Sequence, residues 1–275
     1  MTQAPWTGPD ALLAQSLAHA RATGDALGHV EGRIAAVLTL DQAYHVQQAA
    51  FALRDVPLAG YKLAATSARA QEAMGLDGPL VGLIAASDLA APVIARPTDR
   101  PVYAEAELLV RIGADLPVMT DPPSPSTMAE AIDRVWLGLE ICSSRFADDD
   151  LSPAGIVADN GLLHAIVTGD MLAEGWHEGL AEGTVVLQPE GAEPVYGAAS
   201  AVMGHPLLAL GWLAAWLGRR GESLRQNQII ACGSMTGITQ IATDKGVTAH
   251  FGTPDRTITG TVTTTFAKDK TRSKA

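Results

Sequence analysis

The sequence has few cysteines and no apolar run long enough to cross a membrane. Its two cysteines, Cys142 and Cys232, lie inside apolar segments and lack the spacing of a metal-binding thiol cluster. We therefore expect both cysteines to be reduced and buried in the core of a cytoplasmic protein. The longest nearly uncharged apolar stretch, 206–217, has 12 residues, whereas a membrane-spanning helix needs about 20. No membrane association is predicted.

Basic residues are scarce relative to acidic ones. The 275-residue chain has 19 Lys and Arg against 30 Asp and Glu, a formal net charge of −11. Such a chain repels phosphate backbones, so nucleic-acid binding is not expected. No glycine-rich dinucleotide or phosphate-binding loop follows a predicted strand. The 47% of hydrophobic residues predict a folded chain with a sizeable core.

Helical patterns concentrate early in the chain, and strand patterns dominate later. The pattern predicts helices from Asp10 to about Ala22 and from Asp41 to Leu53, each capped by its aspartate. Shorter helices are predicted over 67–74, 128–135 and 207–216. The predicted strands cover 58–65, 89–94, 102–112, 135–142, 163–168, 183–188, 228–232, 246–251 and 256–266. This order favours an α+β fold over a doubly wound sheet.

Two acidic residues share one face of the predicted strand 102–112. Alternation places Glu105 and Glu107 on the face opposite to Ala104, Ala106 and Leu108. Like charges about 7 Å apart on one face repel each other unless a cation lies between them. On this segment alone, two neighbouring acids on a solvated sheet face are the simpler interpretation.

A third carboxylate, Glu140, lies in the apolar strand 135–142. An unpaired carboxylate is costly there, and it usually becomes protonated, forms an ion pair or binds a metal. Arg145 or Arg134 could supply an ion pair. Three carboxylates without a histidine or thiolate cluster instead fit a hard divalent cation such as Mg²⁺ or Mn²⁺.

Lys62 and His164 are candidate acid–base residues. Lys62 lies in the apolar strand 58–65, where its ammonium either extends to solvent or is held desolvated near an anionic substrate. His164 follows apolar residues; such a histidine is more often a hydrogen-bonded core side chain than an acid–base group.

Seven segments follow one another along nearly the whole chain: 38–48, 60–67 (Gly-Tyr-Lys-Leu-Ala-Ala-Thr-Ser), Glu105-Ala-Glu107, 139–145 (Leu-Glu-Ile-Cys-Ser-Ser-Arg), 157–160, His205-Pro206 with the Trp-rich helix after it, and 233–237 (Gly-Ser-Met-Thr-Gly). Together they resemble the 2-keto-4-pentenoate hydratase group of the fumarylacetoacetate hydrolase superfamily. The resemblance implies an N-terminal helical or α+β region over 1–80, followed by a mixed β-sandwich roll as the catalytic domain over 81–275. It also implies a homo-oligomer.

The resemblance also assigns roles to residues. It implies Mg²⁺ or Mn²⁺ held by Glu105, Glu107 and Glu140, an active-site lysine at Lys62, and a pocket for the substrate carboxylate lined by Gly233, Ser234 and Thr236. The implied enzyme is a lyase that adds water to a 2-hydroxydienoate or other unsaturated 2-oxo acid, its small-molecule partner. The metal would stabilise the enolate, and Lys62 would stabilise it or move the proton.

Leu80 and Leu162 depart from the pattern of this group. Hydratases of the group usually carry an acidic residue in the turn 79–82 and a small or hydroxylated residue after Asp159-Asn160. The two leucines predict a drier pocket and leave the activation of water unassigned. The alternatives are a 2-oxo acid decarboxylase of the 4-oxalocrotonate type, then a C–C bond hydrolase, whose His and Glu lid residues we do not find, and then a non-catalytic metal-binding subunit.

Overall fold

The computed structural model describes residues 8–90, 92–95, 97, 100–147, 151–177, 179–242 and 244–267. The helices in these ranges are α1 (Pro9–Thr23), α2 (His29–Ala36), α3 (Leu40–Ala52), α4 (Ala68–Met74), α5 (Pro125–Glu130), α6 (Pro153–Ala158) and α7 (Pro206–Gly218). The strands are β1 (Leu58–Ala64), β2 (Leu80–Ala85), β3 (Leu89–Ala90), β4 (Val93–Ile94), β5 (Val102–Ile112), β6 (Ile132–Cys142), β7 (Leu163–Met171), β8 (Thr184–Pro189), β9 (Val195–Ala198), β10 (Ile229–Ser234), β11 (Thr239–Ile241), β12 (Val247–Gly252) and β13 (Thr259–Phe266).

The predicted aspartate caps of the first helices are wrong. No side chain caps α1, and Asp10 lies in its first turn. Helix α3 begins after Thr39, whose hydroxyl accepts a hydrogen bond from the Gln42 N–H while the Gln42 side chain accepts one from the Thr39 N–H. This reciprocal pair satisfies two backbone donors. Asp41 lies in the first turn, where a negative charge favours the helix dipole.

The larger sheet has the strand order β2-β1-β10-β5-β6-β7-β3, and β11 also pairs with β5. Strands β1 and β10 run parallel, while β5 pairs antiparallel with both β10 and β6. The helix predicted over 128–135 is wrong at its end, because β6 already begins at Ile132. Since β1 pairs with β2 and β10, the first 80 residues contribute a strand to this sheet. The division at residue 80 stays a proposal.

The smaller sheet has the order β4-β13-β12-β8-β9 among the residues described. Strands β12 and β13 pair as an antiparallel hairpin, with residues 253–258 between them. The side chains between the sheets and beneath the helices form one large buried hydrophobic cluster, the main core. Strand β13 packs on β6 and β7, so the two sheets lie face to face. This is the α+β fold with a β-sandwich roll that the resemblance implies.

Helix α7 begins as predicted, with the His205 ring accepting a hydrogen bond from the Leu207 N–H at 3.0 Å. One stretch of the described chain, Ala199–Gly218, is long and apolar enough by length and composition to cross a membrane. Inside the fold 61% of it is buried. Trp212 and Trp216 stack with ring centroids 6.4 Å apart and pack against the main core. This stretch therefore packs as a core helix of the fold.

Candidate active site and metal centre

Strand register brings the three predicted carboxylates together. Glu105 lies opposite Glu140 in the antiparallel β5–β6 pair, and Glu107 lies opposite Gly138. Glu107 and Glu140 are both 0% exposed, and Glu105 is partly buried. The residues of β5 on its other face, such as Leu108, belong to the main core. The interpretation of a solvated sheet face is therefore wrong.

Lys62 supplies the positive charge next to these carboxylates. Its side chain is 1% exposed, so the interpretation with a solvent-exposed ammonium is also wrong. The Nζ atom lies 2.8 Å from Glu140 Oε1 and donates a hydrogen bond to the Gly161 carbonyl oxygen at 2.6 Å. The expected ion pair of Glu140 with Arg145 does not form, because Arg145 pairs with Asp159 at 3.1 Å.

The charges of this buried group do not balance. Burial raises the pKa of Glu107 well above its ordinary value, and the charges of Glu140 and Glu105 raise it further. Burial, followed by the charge of Glu140, likewise raises the pKa of Glu105. Burial is the largest single effect and would lower the pKa of Lys62, but Glu140, Cys142 and Glu105 together outweigh it, so the net shift is upward and Lys62 keeps its proton. One ammonium faces three carboxyl groups.

Two buried carboxylate oxygens lack a hydrogen-bond partner among the described residues. They are Glu107 Oε1 and Glu140 Oε2. A buried acceptor without a donor is costly, so most such atoms in proteins are satisfied. Hard oxygen donors, excess negative charge and unsatisfied oxygens are the features that fit a divalent cation.

A left-handed turn positions the Gly161 carbonyl on Lys62. Asn160, Gly161 and Leu162 have φ values of 54°, 63° and 64°. The Asn160 side chain anchors the turn to β2, accepting from the Leu83 N–H at 2.7 Å and donating to the Leu83 carbonyl at 2.8 Å. A Cβ atom on Gly161 would lie 2.4 Å from Lys62 Cε, so only glycine fits there without displacing the lysine. The sequence pattern did not predict this turn, although Asp159-Asn160 lies in segment 157–160, one of the seven segments that carry the family resemblance.

The predicted substrate-binding residues lie against the carboxylates. The Gly233 N–H donates to Glu107 Oε2 at 3.0 Å. Ser234 hydrogen-bonds to Glu105, which lowers the pKa of that carboxyl in opposition to burial. Thr236 Oγ1 accepts from the Ala106 N–H at 3.2 Å. The end of β10 and the loop after it are thus fixed to β5, and their role toward a substrate stays a proposal.

His164 is placed in different surroundings from Lys62. Its Nε2 atom lies 2.9 Å from the Ala95 carbonyl oxygen. Burial lowers its pKa to about 4, and the charged groups that act most on it are Arg21, Arg145 and Arg100. These surroundings match the hydrogen-bonded core histidine that the sequence favours. They also keep the ring neutral near pH 7. An acid–base role for His164 stays an untested prediction that this geometry does not favour.

Cys142 is a site residue that sequence analysis assigned to the core. It is buried, but its Sγ lies 3.3 Å from Glu140 Oε1 and 3.7 Å from Glu105 Oε2. Burial raises the pKa of this thiol well above its ordinary value, and the two carboxylates add to the shift. The signal was present, since residues two apart on a strand share a face. Cys232, in contrast, belongs to the main core as predicted.

Comparison with known proteins finds relatives among hydratases and decarboxylases. No protein-family model matches the chain. It is 30% identical to 2-keto-4-pentenoate hydratase of Paraburkholderia xenovorans (strain LB400) over 64% of this chain and 65% of the relative, just under two thirds of its length. It is 26% identical to 4-oxalocrotonate decarboxylase of Pseudomonas putida over 70% of this chain and 74% of the relative.

The solved structures extend this likeness to the whole fold. The structure of 4-oxalocrotonate decarboxylase from Pseudomonas putida G7, complexed with magnesium and adipate, has a TM-score of 0.81 and 26% identity over 94% of this chain and 97% of that chain. Fumarylacetoacetate hydrolase family structures share the fold at lower identity. The chain is therefore similar to 2-keto-4-pentenoate hydratase and 4-oxalocrotonate decarboxylase along most of its length, it shares the fold of the fumarylacetoacetate hydrolase family structures, and its hydratase relatives indicate an enzyme of the hydratase and lyase type.

Proposed function

We propose that this chain is a divalent-metal-dependent hydratase that adds water to a 2-hydroxydienoate or a related unsaturated 2-oxo acid. The observation that carries the proposal is the buried group of Glu107, Glu140 and Lys62, in which two carboxylate oxygens have no hydrogen-bond partner within the described part of the chain. The hydratase relatives support the reaction type. The magnesium complex of the decarboxylase structure supports a divalent cation.

Glu105, Glu107 and Glu140 are the residues that would hold the cation, Mg²⁺ or Mn²⁺. When bound there, such an ion would polarise the carboxylate and 2-oxo oxygens of a substrate and favour negative charge on them. The three side chains come from two adjacent strands, so pairing of β5 with β6 preorganises them. This arrangement fits a rigid site better than one assembled from loops.

Lys62 is the proposed acid–base residue. An ammonium has three N–H donors, and Glu140 and the Gly161 carbonyl engage two of them. The remaining donor is available to a substrate atom. The proton on Nζ can pass to a carbon of the ionised dienol, which gives the 2-oxo form and a neutral amine. The amine can then accept a proton from water while the water oxygen bonds to the conjugated carbon, and return that proton to the enolate carbon that this addition leaves.

Two further groups surround this reaction centre. One is a buried apolar cluster made of Ile84, Leu109, Leu163, Ile166 and Ala231. Ala231 pairs with Lys62 and Ile166 pairs with Glu140, so this cluster would limit the access of bulk water to the two charged groups. Backbone and hydroxyl groups of Gly233, Ser234 and Thr236 would bind the substrate carboxylate. We also propose that the enzyme is a cytoplasmic homo-oligomer.

A decarboxylase of 2-oxo diacids is the second candidate, and Leu80 favours it. Leu80 is buried in the main core at the position where an acidic residue was expected for a hydratase. Loss of CO₂ requires no activation of water at that position. The overall likeness to a decarboxylase structure over 94% of the chain agrees with this alternative.

An assay with two substrates separates these candidates. The purified chain with Mg²⁺ or Mn²⁺ is given 2-hydroxypenta-2,4-dienoate or 4-oxalocrotonate, and dienol absorbance, CO₂ and products are followed. A hydrated 4-hydroxy-2-oxo product without CO₂ supports the hydratase. Release of CO₂ from the diacid supports the decarboxylase. Failure to turn over either substrate with either metal would reject both activities.

A further inference from the structure

A second set of cation donors overlaps the proposed metal centre. Glu105, Glu140 and Cys142 each offer one ligand atom, and these atoms all lie within 4.8 Å of one another. Beside the carboxylate triad Glu105, Glu107 and Glu140 of the proposed function, we propose a thiolate triad of Glu105, Glu140 and Cys142 that binds thiophilic dications such as Cd²⁺ and Zn²⁺. The inference rests on the carboxylate site of the proposed function but not on its reaction.

Strand geometry builds the thiolate triad. Glu140 and Cys142 are two residues apart on β6, and Glu105 lies directly across from Glu140 on β5. The Cys142 thiol approaches both carboxylates and donates to Glu140 Oε1. Glu107 lies further along β5, opposite Gly138. The two triads thus share two carboxylates and differ in their third donor.

A buried unsatisfied oxygen is a second observation, shared with the proposed function, that points to a cation at this place. Glu140 Oε2 is inaccessible to solvent and has no hydrogen-bond partner among the described residues. Glu140 belongs to both triads. Its Oε1 atom is contacted by Lys62 Nζ and by Cys142 Sγ, whereas Oε2 is left for a ligand outside this protein network. A positive ion satisfies such an oxygen without requiring a further donor side chain.

Ligand chemistry distinguishes the two triads. Mg²⁺ and Mn²⁺ prefer oxygen ligands, while Zn²⁺ and softer ions bind thiolate sulfur well. When a thiophilic ion binds, the Cys142 S–H bond breaks, a sulfur–metal bond forms and the proton leaves to water without any change of oxidation state. The ion would also compete with Lys62 Nζ for Glu140 Oε1. We therefore expect thiophilic dications to inhibit the enzyme rather than activate it.

Cadmium titration of the purified full-length chain tests the thiolate triad. Binding is followed by the ultraviolet charge-transfer absorbance between thiolate and Cd²⁺, and Mn²⁺ binding is followed by electron paramagnetic resonance. In Cys142→Ser the charge-transfer band should disappear and Cd²⁺ affinity should fall at least about tenfold, because a thiophilic ion loses its sulfur ligand. Mn²⁺ affinity should stay within about threefold, because a hard ion does not use the thiol.

Two further variants serve as controls. Cys232→Ser changes the core thiol and should keep the Cd²⁺ band. Glu107→Gln should weaken Mn²⁺ binding yet also keep the Cd²⁺ band, because Glu107 belongs only to the carboxylate triad. Circular dichroism confirms that each variant is folded.

The possible failures are distinguishable. If the wild-type chain binds Mn²⁺ but shows no thiolate band with Cd²⁺, the thiolate triad is wrong and the proposed function stands. A band that persists in Cys142→Ser or vanishes in Cys232→Ser also overturns it. If neither ion binds, the carboxylate site of the proposed function fails as well.

Discussion

Lys62 is the residue whose chemistry and metal binding can be separated most clearly. In Lys62→Met the proton at Nζ is lost, so kcat should fall about 10²–10⁴-fold, the usual range for loss of an acid–base group. The same change removes the Lys62 ammonium group that contacts the Glu140 carboxylate. Affinity for Mn²⁺ should therefore be retained or increase. Steady-state kinetics and Mn²⁺ titration measure the two effects separately.

Lys245→Met is the matched control for this prediction. Lys245 forms an exposed ion pair with Glu190 at 2.9 Å on the surface, and its replacement should leave kcat unchanged. A marked loss of Mn²⁺ binding in Lys62→Met would contradict the acid–base assignment and give Lys62 a structural role instead.

Glu107 tests the hard-metal site. In Glu107→Gln, a neutral amide replaces a carboxylate, and an amide is a weaker ligand for a hard dication. Metal affinity should fall at least about tenfold, since even loss of an outer partner of a ligand costs that much. Metal-dependent turnover should be abolished at limiting Mg²⁺ while the circular dichroism spectrum is kept. Unchanged turnover under those conditions would refute the role of Glu107.

The sequence indicates which residues of the site are unusual but not which partners they find. Glu140 and Lys62 stand out because charges inside apolar strands are costly. Their mutual contact is not predictable locally, because β10 and β5 lie between β1 and β6 in the sheet. Three strand spacings in a flat sheet amount to about 14 Å, so the contact depends on how the sheet curls.

Among the elements, the left-handed turn at 160–162 has the clearest functional consequence. In Gly161→Ala the new Cβ would lie 2.4 Å from Lys62 Cε and 2.7 Å from Nζ. Lys62 must then move, and a displacement of about 1 Å can lower a rate about 10²-fold. We expect kcat to fall by that order and stability to fall by about 1 kcal/mol from the left-handed backbone.

Gly75→Ala separates the two effects. Gly75 ends α4 with φ of 62°, almost the value at Gly161, but no atom lies within 4 Å of its added Cβ. It should show a similar loss of melting temperature with unchanged kcat. Equal kinetic effects of the two variants would show that Gly161 acts only through backbone strain and not on Lys62.

Most strand and helix ranges were predictable to within a few residues, but the strand predicted over 89–94 is two strands, β3 and β4, which lie in different sheets. Strand β5 matches its predicted range because its side chains alternate between the main core and the carboxylate face. The start of α3 differs because Thr39 and Gln42 together satisfy more backbone donors than Asp41 would. Short elements such as α2 and β11 escape prediction because tertiary contacts rather than local patterns define them.

For the whole molecule, the metal-free site links stability to pH. The folded state raises the pKa of Glu105 and Glu107, chiefly through burial. Between the ordinary and the raised pKa, the folded protein binds more protons than the unfolded chain, so the free energy of unfolding falls as pH rises through that window. A dication favours the ionised carboxylates and should offset this loss.

Thermal unfolding with and without Mg²⁺ at two pH values tests this linkage. At a free ion concentration about 100 times Kd, binding adds about 2.7 kcal/mol to the free energy of unfolding. Because protons compete with the ion for the carboxylates, the rise in Tm should be larger at about pH 8 than at about pH 6. Glu107→Gln removes one of the two carboxyl groups whose pKa is raised. It should therefore reduce the difference between the Tm increases at the two pH values. A rise in Tm that is equal at both pH values, or larger at the lower one, would mean that the buried acids are not the groups that bind the ion.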